Sequence, residues 1–209
     1  PHRGMETVTY ILDGAVRHKD SLGNEGVIES GAVQWMTAGS GIIHEEMPES
    51  PHGIRGFQLW VNLPKEKKMI EPKYTDLKGK LIPDITLAPL AHARIISEHP
   101  LYMDITLEAN GEAAVPVTEG HTVFAYVIEG ALGTGASESY YAPGTIILFE
   151  REGDTITLRA SASGARLLLI SGAPLYEPIA WHGPIVMNTD EELREAFRDL
   201  QEGTFIRAR

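Results

Sequence analysis

Apolar and polar positions in this chain recur mostly with a period of two, the spacing that sends successive side chains to opposite faces of a strand. Thr7-Val8-Thr9-Tyr10-Ile11-Leu12 is β-branched or aromatic almost throughout, and Asp13-Gly14 ends it with a hairpin signal. Val27-Ile28 leads to a turn at Ser30-Gly31, and Ala32-Val33-Gln34-Trp35-Met36 follows as a further strand. Ile42 to Met47 reads as another. From Ile54 to Leu63 the alternation is regular: Phe57, Leu59, Val61 and Leu63 share one face, and Gln58, Trp60 and Asn62 share the other. Pro64 to Pro72 is polar and Lys-rich, and breakers continue to Pro89, which places a domain junction here. A second strand-rich block runs from about Ala93 to Ser171. The period changes only near the end. Thr189-Asp190-Glu191-Glu192 is a capping box, Leu193, Ala196, Phe197 and Leu200 form an i, i+3, i+4, i+7 stripe, and Gly203 stops a helix.

One segment occurs twice. Val8-Thr9-Tyr10-Ile11-Leu12-Asp13-Gly14 matches Phe124-Ala125-Tyr126-Val127-Ile128-Glu129-Gly130, and each is followed by a Gly-led strand, at Gly31 and at Gly144. Two copies of one β-barrel unit are the simplest reading. Strand-like sequence from Arg94 to Val117 precedes the second copy, and its counterpart would fall upstream of Pro1, so the first barrel is expected to lack its N-terminal strands.

Composition narrows the chemistry. Cysteine is absent, which removes disulfides, thiolate metal sites and Cys nucleophiles and leaves His and carboxylates as metal donors. The formal charge of −11 argues against direct contact with nucleic acid or an anionic membrane, since phosphate contacts need clustered Lys and Arg. No apolar run approaches the length of a membrane span, and the amino end lacks the architecture of a signal peptide, so a soluble cytoplasmic protein is expected. Neither a Gly-rich phosphate loop nor a nucleophile elbow is present.

The strongest chemical signal is Gly41-Ile42-Ile43-His44-Glu45-Glu46-Met47. On an extended strand His44 and Glu46 point the same way and Glu45 points away. With His2 as a third donor they make a mononuclear metal site of the nitrogen and oxygen type. The second copy has Thr118 where His2 aligns and no His-x-Glu after Gly144, so a metal site is expected in the first copy alone. His18, His52, His92, His99, His121 and His182 have no partner at ligand spacing and are read as structural or surface residues.

The stretches from Pro1 to Tyr10, Gln34 to Gly39, Gly41 to Pro48, Gly56 to Pro64 and Glu177 to Thr189 closely resemble the pirin family. The resemblance spans nearly the whole chain and implies an all-β bicupin, here with a metal-binding barrel over 1–72 and a metal-free barrel with a C-terminal helix over 73–209. It implies one Fe(II) per chain in the first barrel, other divalent metals being alternatives. In the family three His and one Glu hold the iron. His2, His44 and Glu46 match three of these by motif, while the family's first His belongs two positions before His2, where this chain has no residue. The family implies either a quercetin 2,3-dioxygenase, acting on flavonols with O2, or a non-catalytic, iron-dependent partner of regulatory proteins. Glu46 is the candidate for a dual role, as ligand and as the base that takes the flavonol 3-hydroxyl proton. The family also places a Gln near the pocket, which favours an inward Gln58, and it does not use Glu6 as a direct metal ligand, which leaves Glu6 to support the ligands from behind or to serve structure. Trp35 and Met36 are read as pocket lining or plain core.

Overall fold

The computed structural model describes residues 1–207, and its only helix longer than a single turn lies at the carboxyl end. The chain separates into two compact units, Pro1–Leu81 with the tail from Leu175, and Ile82–Pro174.

The first unit is built of β1 (Met5–Asp13), β2 (Ala15–Asp20), β3 (Glu25–Glu29), β4 (Val33–Thr37), β5 (His44–Pro48), β6 (Arg55–Asn62) and β7 (Lys73–Leu77). They form a four-stranded sheet in the order β6-β1-β4-β7 and a three-stranded sheet in the order β3-β2-β5. Strands with apolar alternation stand where the sequence puts them. The strand β2 does not appear in that reading. Val16, His18 and Asp20 face inward and Arg17 and Lys19 outward, so its alternation is real but its inward face is mostly polar.

The second unit contains β8 (Asp84–Ala88), β9 (Ala91–Glu98), β10 (Leu101–Leu107), β11 (Glu112–Pro116), β12 (Thr122–Thr134), β13 (Ile146–Leu148) and β14 (Thr155–Gly172). Six of these lie in the order β13-β12-β14-β10-β9-β8, and β11 pairs with β14. Its interior is apolar, with Ile105, Leu107, Val127, Leu132, Leu158 and Leu167 fully buried in one cluster. The internal repeat holds at the level of single hydrogen bonds. Tyr10 pairs with Val33 as Tyr126 pairs with Ile146. Gly31 N donates to Ile11 O at 2.7 Å, and Gly144 N donates to Val127 O at 2.9 Å.

The tail adds β15 (Ala180–His182), β16 (Ile185–Met187) and α1 (Asp190–Glu202). Thr189 caps α1 by accepting from Glu192 N, Glu192 answers with its carboxylate on Thr189 N, and Gly203 closes the helix at φ 74°. The stripe Leu193, Ala196, Phe197 and Leu200 packs on Ile185, Met187 and Phe205. The units differ from the expected boundary at 72 with the tail in the second barrel. In the structure β7 is hydrogen-bonded to β4, which carries the first unit to Leu81, and the buried Arg3 binds Asp199 of α1, which brings the tail back to it. Among the described residues no helix is long and apolar enough to cross a membrane.

Candidate metal centre

Two strand ladders face one polar pocket. In the β2–β5 ladder His18 stands opposite Glu46, and Asp20 stands opposite His44. In the β1–β6 ladder Thr9 stands opposite Gln58. The two meet at Glu46, whose Oε1 accepts from the Thr9 hydroxyl at 3.1 Å and whose Oε2 accepts from Gln58 Nε2 at 3.0 Å. His2 enters beside them. Its backbone is paired to Ile42 in both directions, at 2.8 and 3.0 Å, and the residue is 6% exposed.

His2 Nε2 and His44 Nε2 lie 3.0 Å apart. Two nitrogens each about 2.1 Å from one ion and at right angles to each other would be separated by about 3.0 Å, so the pair fits a shared divalent cation. His18, His44 and Glu46 offer ligand atoms that all lie within 4.8 Å of one another. Burial, and then the neighbouring His44, push the His2 ring down to about 4. Burial, and then His18, push His44 down to about 4 as well. Both rings are therefore neutral at pH 7 and have a lone pair to give. Neutral imidazoles with a carboxylate suit a borderline divalent cation.

His18 departs from the sequence reading, which placed it among the structural or surface histidines. It is 1% exposed, its ring centroid lies 5.4 Å from that of His44, and its Nε2 is 3.1 Å from the Tyr74 hydroxyl. Burial, and a hydrogen bond to Asp20, raise the Tyr74 phenol well above its ordinary value. Burial pushes Asp20 upward, but hydrogen bonds from Asn24, Tyr74 and Leu22 outweigh it and hold the carboxyl low. The Tyr74 proton is shared between Asp20 and Met36 Sδ, the latter at 2.9 Å, so the Tyr74 oxygen accepts from His18 Nε2–H and the His18 lone pair is left on Nδ1. That atom, like His44 Nδ1, is buried with no hydrogen-bond partner among the described residues. The signal that could have found His18 is the outward Arg17 and Lys19 on either side of it.

The other expectations sort cleanly. Gln58 faces inward, on Glu46. Glu6 lies on the opposite face of β1 from Thr9 and accepts from the Thr37 hydroxyl at 2.6 Å. Met36 is buried core beside Tyr74, and Trp35 is half-buried. His52, His92, His99 and His182 are exposed, and His121 bonds Ser171 at 3.2 Å.

Residues flanking His2 are anchored by buried cations. Arg3 donates from Nε to Ser40 O at 2.7 Å, from Nη1 to Asp199 Oδ2 at 2.8 Å and from Nη2 to Phe205 O at 3.0 Å. Lys68 Nζ donates to Gly4 O and Val186 O, each at 2.9 Å, and to the Asn62 side chain. Gly4 itself adopts φ 76°, and a Cβ there would overlap the Val186 carbonyl, so only glycine lets the two segments meet.

Comparison with known proteins agrees with this architecture. The family model described as pirin matches residues 1–61, and the pirin C-terminal cupin domain matches residues 102–206. A pirin-like protein of Solanum lycopersicum is 40% identical over 97% of this chain and 74% of its own length. Pirin of Rattus norvegicus is 39% identical over 96% of this chain and 74% of its own. The crystal structure of a quercetin 2,3-dioxygenase from Acinetobacter baumannii superposes with a TM-score of 0.91 at 39% identity, covering 98% of this chain and 77% of that one. Two family domains matched in order, over a fold with an internal barrel repeat, make this chain a member of the pirin family of bicupins.

Proposed function

We propose that this protein is a metal-dependent dioxygenase that cleaves flavonols such as quercetin with O2 at a mononuclear Fe(II) site held by His2, His44 and Glu46. The convergence of two neutral imidazoles, their Nε2 atoms 3.0 Å apart, is the observation that carries this reading. The likeness to the Acinetobacter baumannii quercetin 2,3-dioxygenase supports the substrate class. Bound iron supplies the Lewis acidity that acidifies a flavonol hydroxyl and the redox chemistry that O2 requires.

The chain's own residues prepare the acid–base step. Glu46 Oε1 is engaged by both Thr9 and Gln58, whereas Oε2 accepts from Gln58 alone. Oε2 therefore keeps one lone pair, available either as a metal donor or as the base that takes the substrate's proton. Trp60, 42% exposed, meets the His2 ring in a T-shaped contact with ring centroids 5.4 Å apart, offering an aromatic surface at the rim.

The test is anaerobic loading with Fe(II) followed by oxygen-electrode recording with quercetin. The wild type should consume O2 only when loaded and given quercetin, and His44→Ala and Glu46→Gln should each abolish uptake. Tight iron binding with no uptake would replace this reading with that of an iron-dependent regulatory module. Absence of iron binding would remove both.

A further inference from the structure

A side-chain amide in the pocket is oriented from behind. Gln58 and Trp60 share one face of β6, and the indole Nε1–H donates to Gln58 Oε1 at 3.0 Å. An indole nitrogen only donates, so the amide must turn its oxygen to Trp60. The amide nitrogen then points into the pocket, 3.0 and 3.2 Å from the Glu46 oxygens and 3.1 Å from Thr9 Oγ1. Turning the amide over would set NH2 against N–H at one end and oxygen against carboxylate at the other.

We propose that Trp60 is a positioning residue that keeps the Gln58 amino group on Glu46 and the Gln58 oxygen out of the metal site. In the metal-free pocket the full charge of Glu46 already attracts the amide N–H. A cation sharing that charge weakens the attraction and would itself draw an amide oxygen inward as a hard ligand. The Trp60 N–H then decides the orientation. This rests on the metal-site reading above, but the hydrogen-bond chain exists without a metal and can be observed without one.

The experiment uses Trp60→Phe, which keeps an aromatic ring and removes the N–H, Gln58→Met, and the double variant. Nickel(II), which imidazole and carboxylate ligands accept without oxygen sensitivity, is titrated calorimetrically into each protein. Gln58→Met should weaken binding by roughly 10–100-fold and Trp60→Phe by about tenfold, as supporting groups behind metal ligands do. The double variant should be no weaker than Gln58→Met alone, because Trp60 acts only through the amide. In the 15N-labelled metal-free protein, Trp60→Phe should shift the Gln58 carboxamide resonances and shorten their exchange protection, and Gln58→Met should shift the Trp60 indole resonance. Thermal melts of the metal-free variants control for folding. Additive losses of affinity, or carboxamide resonances unmoved by Trp60→Phe, would overturn the proposal. A wild type that binds no nickel removes the metal-site reading, and the metal-free resonances then decide the Trp60–Gln58 orientation.

Discussion

His18 lies directly across the β2–β5 ladder from Glu46, in the position where antiparallel partners bring their side chains closest. The same register sets Asp20 opposite His44. One ladder therefore joins the His-x-Glu strand to a buried His-x-Asp strand. Replacing His18 with Phe is expected to lower nickel(II) affinity about 10–100-fold, the range for groups that adjoin a metal site. Calorimetric titration beside His52→Phe, which alters an exposed ring, measures the effect. Equal affinity in the two variants would remove His18 from the centre.

Acid should destabilise the metal-free protein. His2 and His44 titrate near 4 in the fold against an ordinary value of 6.5, so between these pH values the unfolded chain binds protons that the folded chain does not. Stability therefore rises with pH across that window and falls as the solution is acidified through it. Urea melts from pH 7 to pH 4 should show the decline, and His2→Leu should flatten part of it. A wild-type profile that is already flat would contradict the burial of neutral rings.

The Arg3–Asp199 pair ties the residue after His2 to α1, with side chains 2% and 15% exposed. Asp199→Asn should cost about 2 kcal/mol of stability, since it leaves a buried guanidinium short of its counter-charge. It should also weaken nickel(II) binding at His2 while leaving the fold intact by circular dichroism. Chemical denaturation and calorimetry together separate the two effects.

Lys68 gives a shift of the same origin in the alkaline range. Burial is the largest cause that brings its ammonium down to about 8 from 10.5, so between these values the unfolded chain carries the extra proton and stability rises with pH. Lys68→Met should abolish this rise and cost about 2–4 kcal/mol at pH 7, by stranding the Gly4 and Val186 carbonyls and the Asn62 side chain. Melts at pH 7 and pH 10 test both statements.

Elements whose signal is local are legible in the residues alone. The strands β1, β4 and β6 show in their apolar alternation, α1 in its capping box and stripe, the repeated unit in the paired Tyr10 and Tyr126 segments, and the common face of His44 and Glu46 in strand parity. Tertiary structure decided what depends on partners far away along the chain. The strand β2 turns His18 and Asp20 inward, and a polar inward face has no hydrophobic period to read. The orientation of Gln58 follows from the Trp60 N–H behind it and the Glu46 carboxylate brought in by β5. The tail joins the first unit because Arg3 and Asp199, 196 positions apart, bury one charge against the other. Side-chain period is set by the backbone of a few successive residues. The partner that makes a buried polar group affordable is chosen by strand register and packing, which no short window of sequence contains.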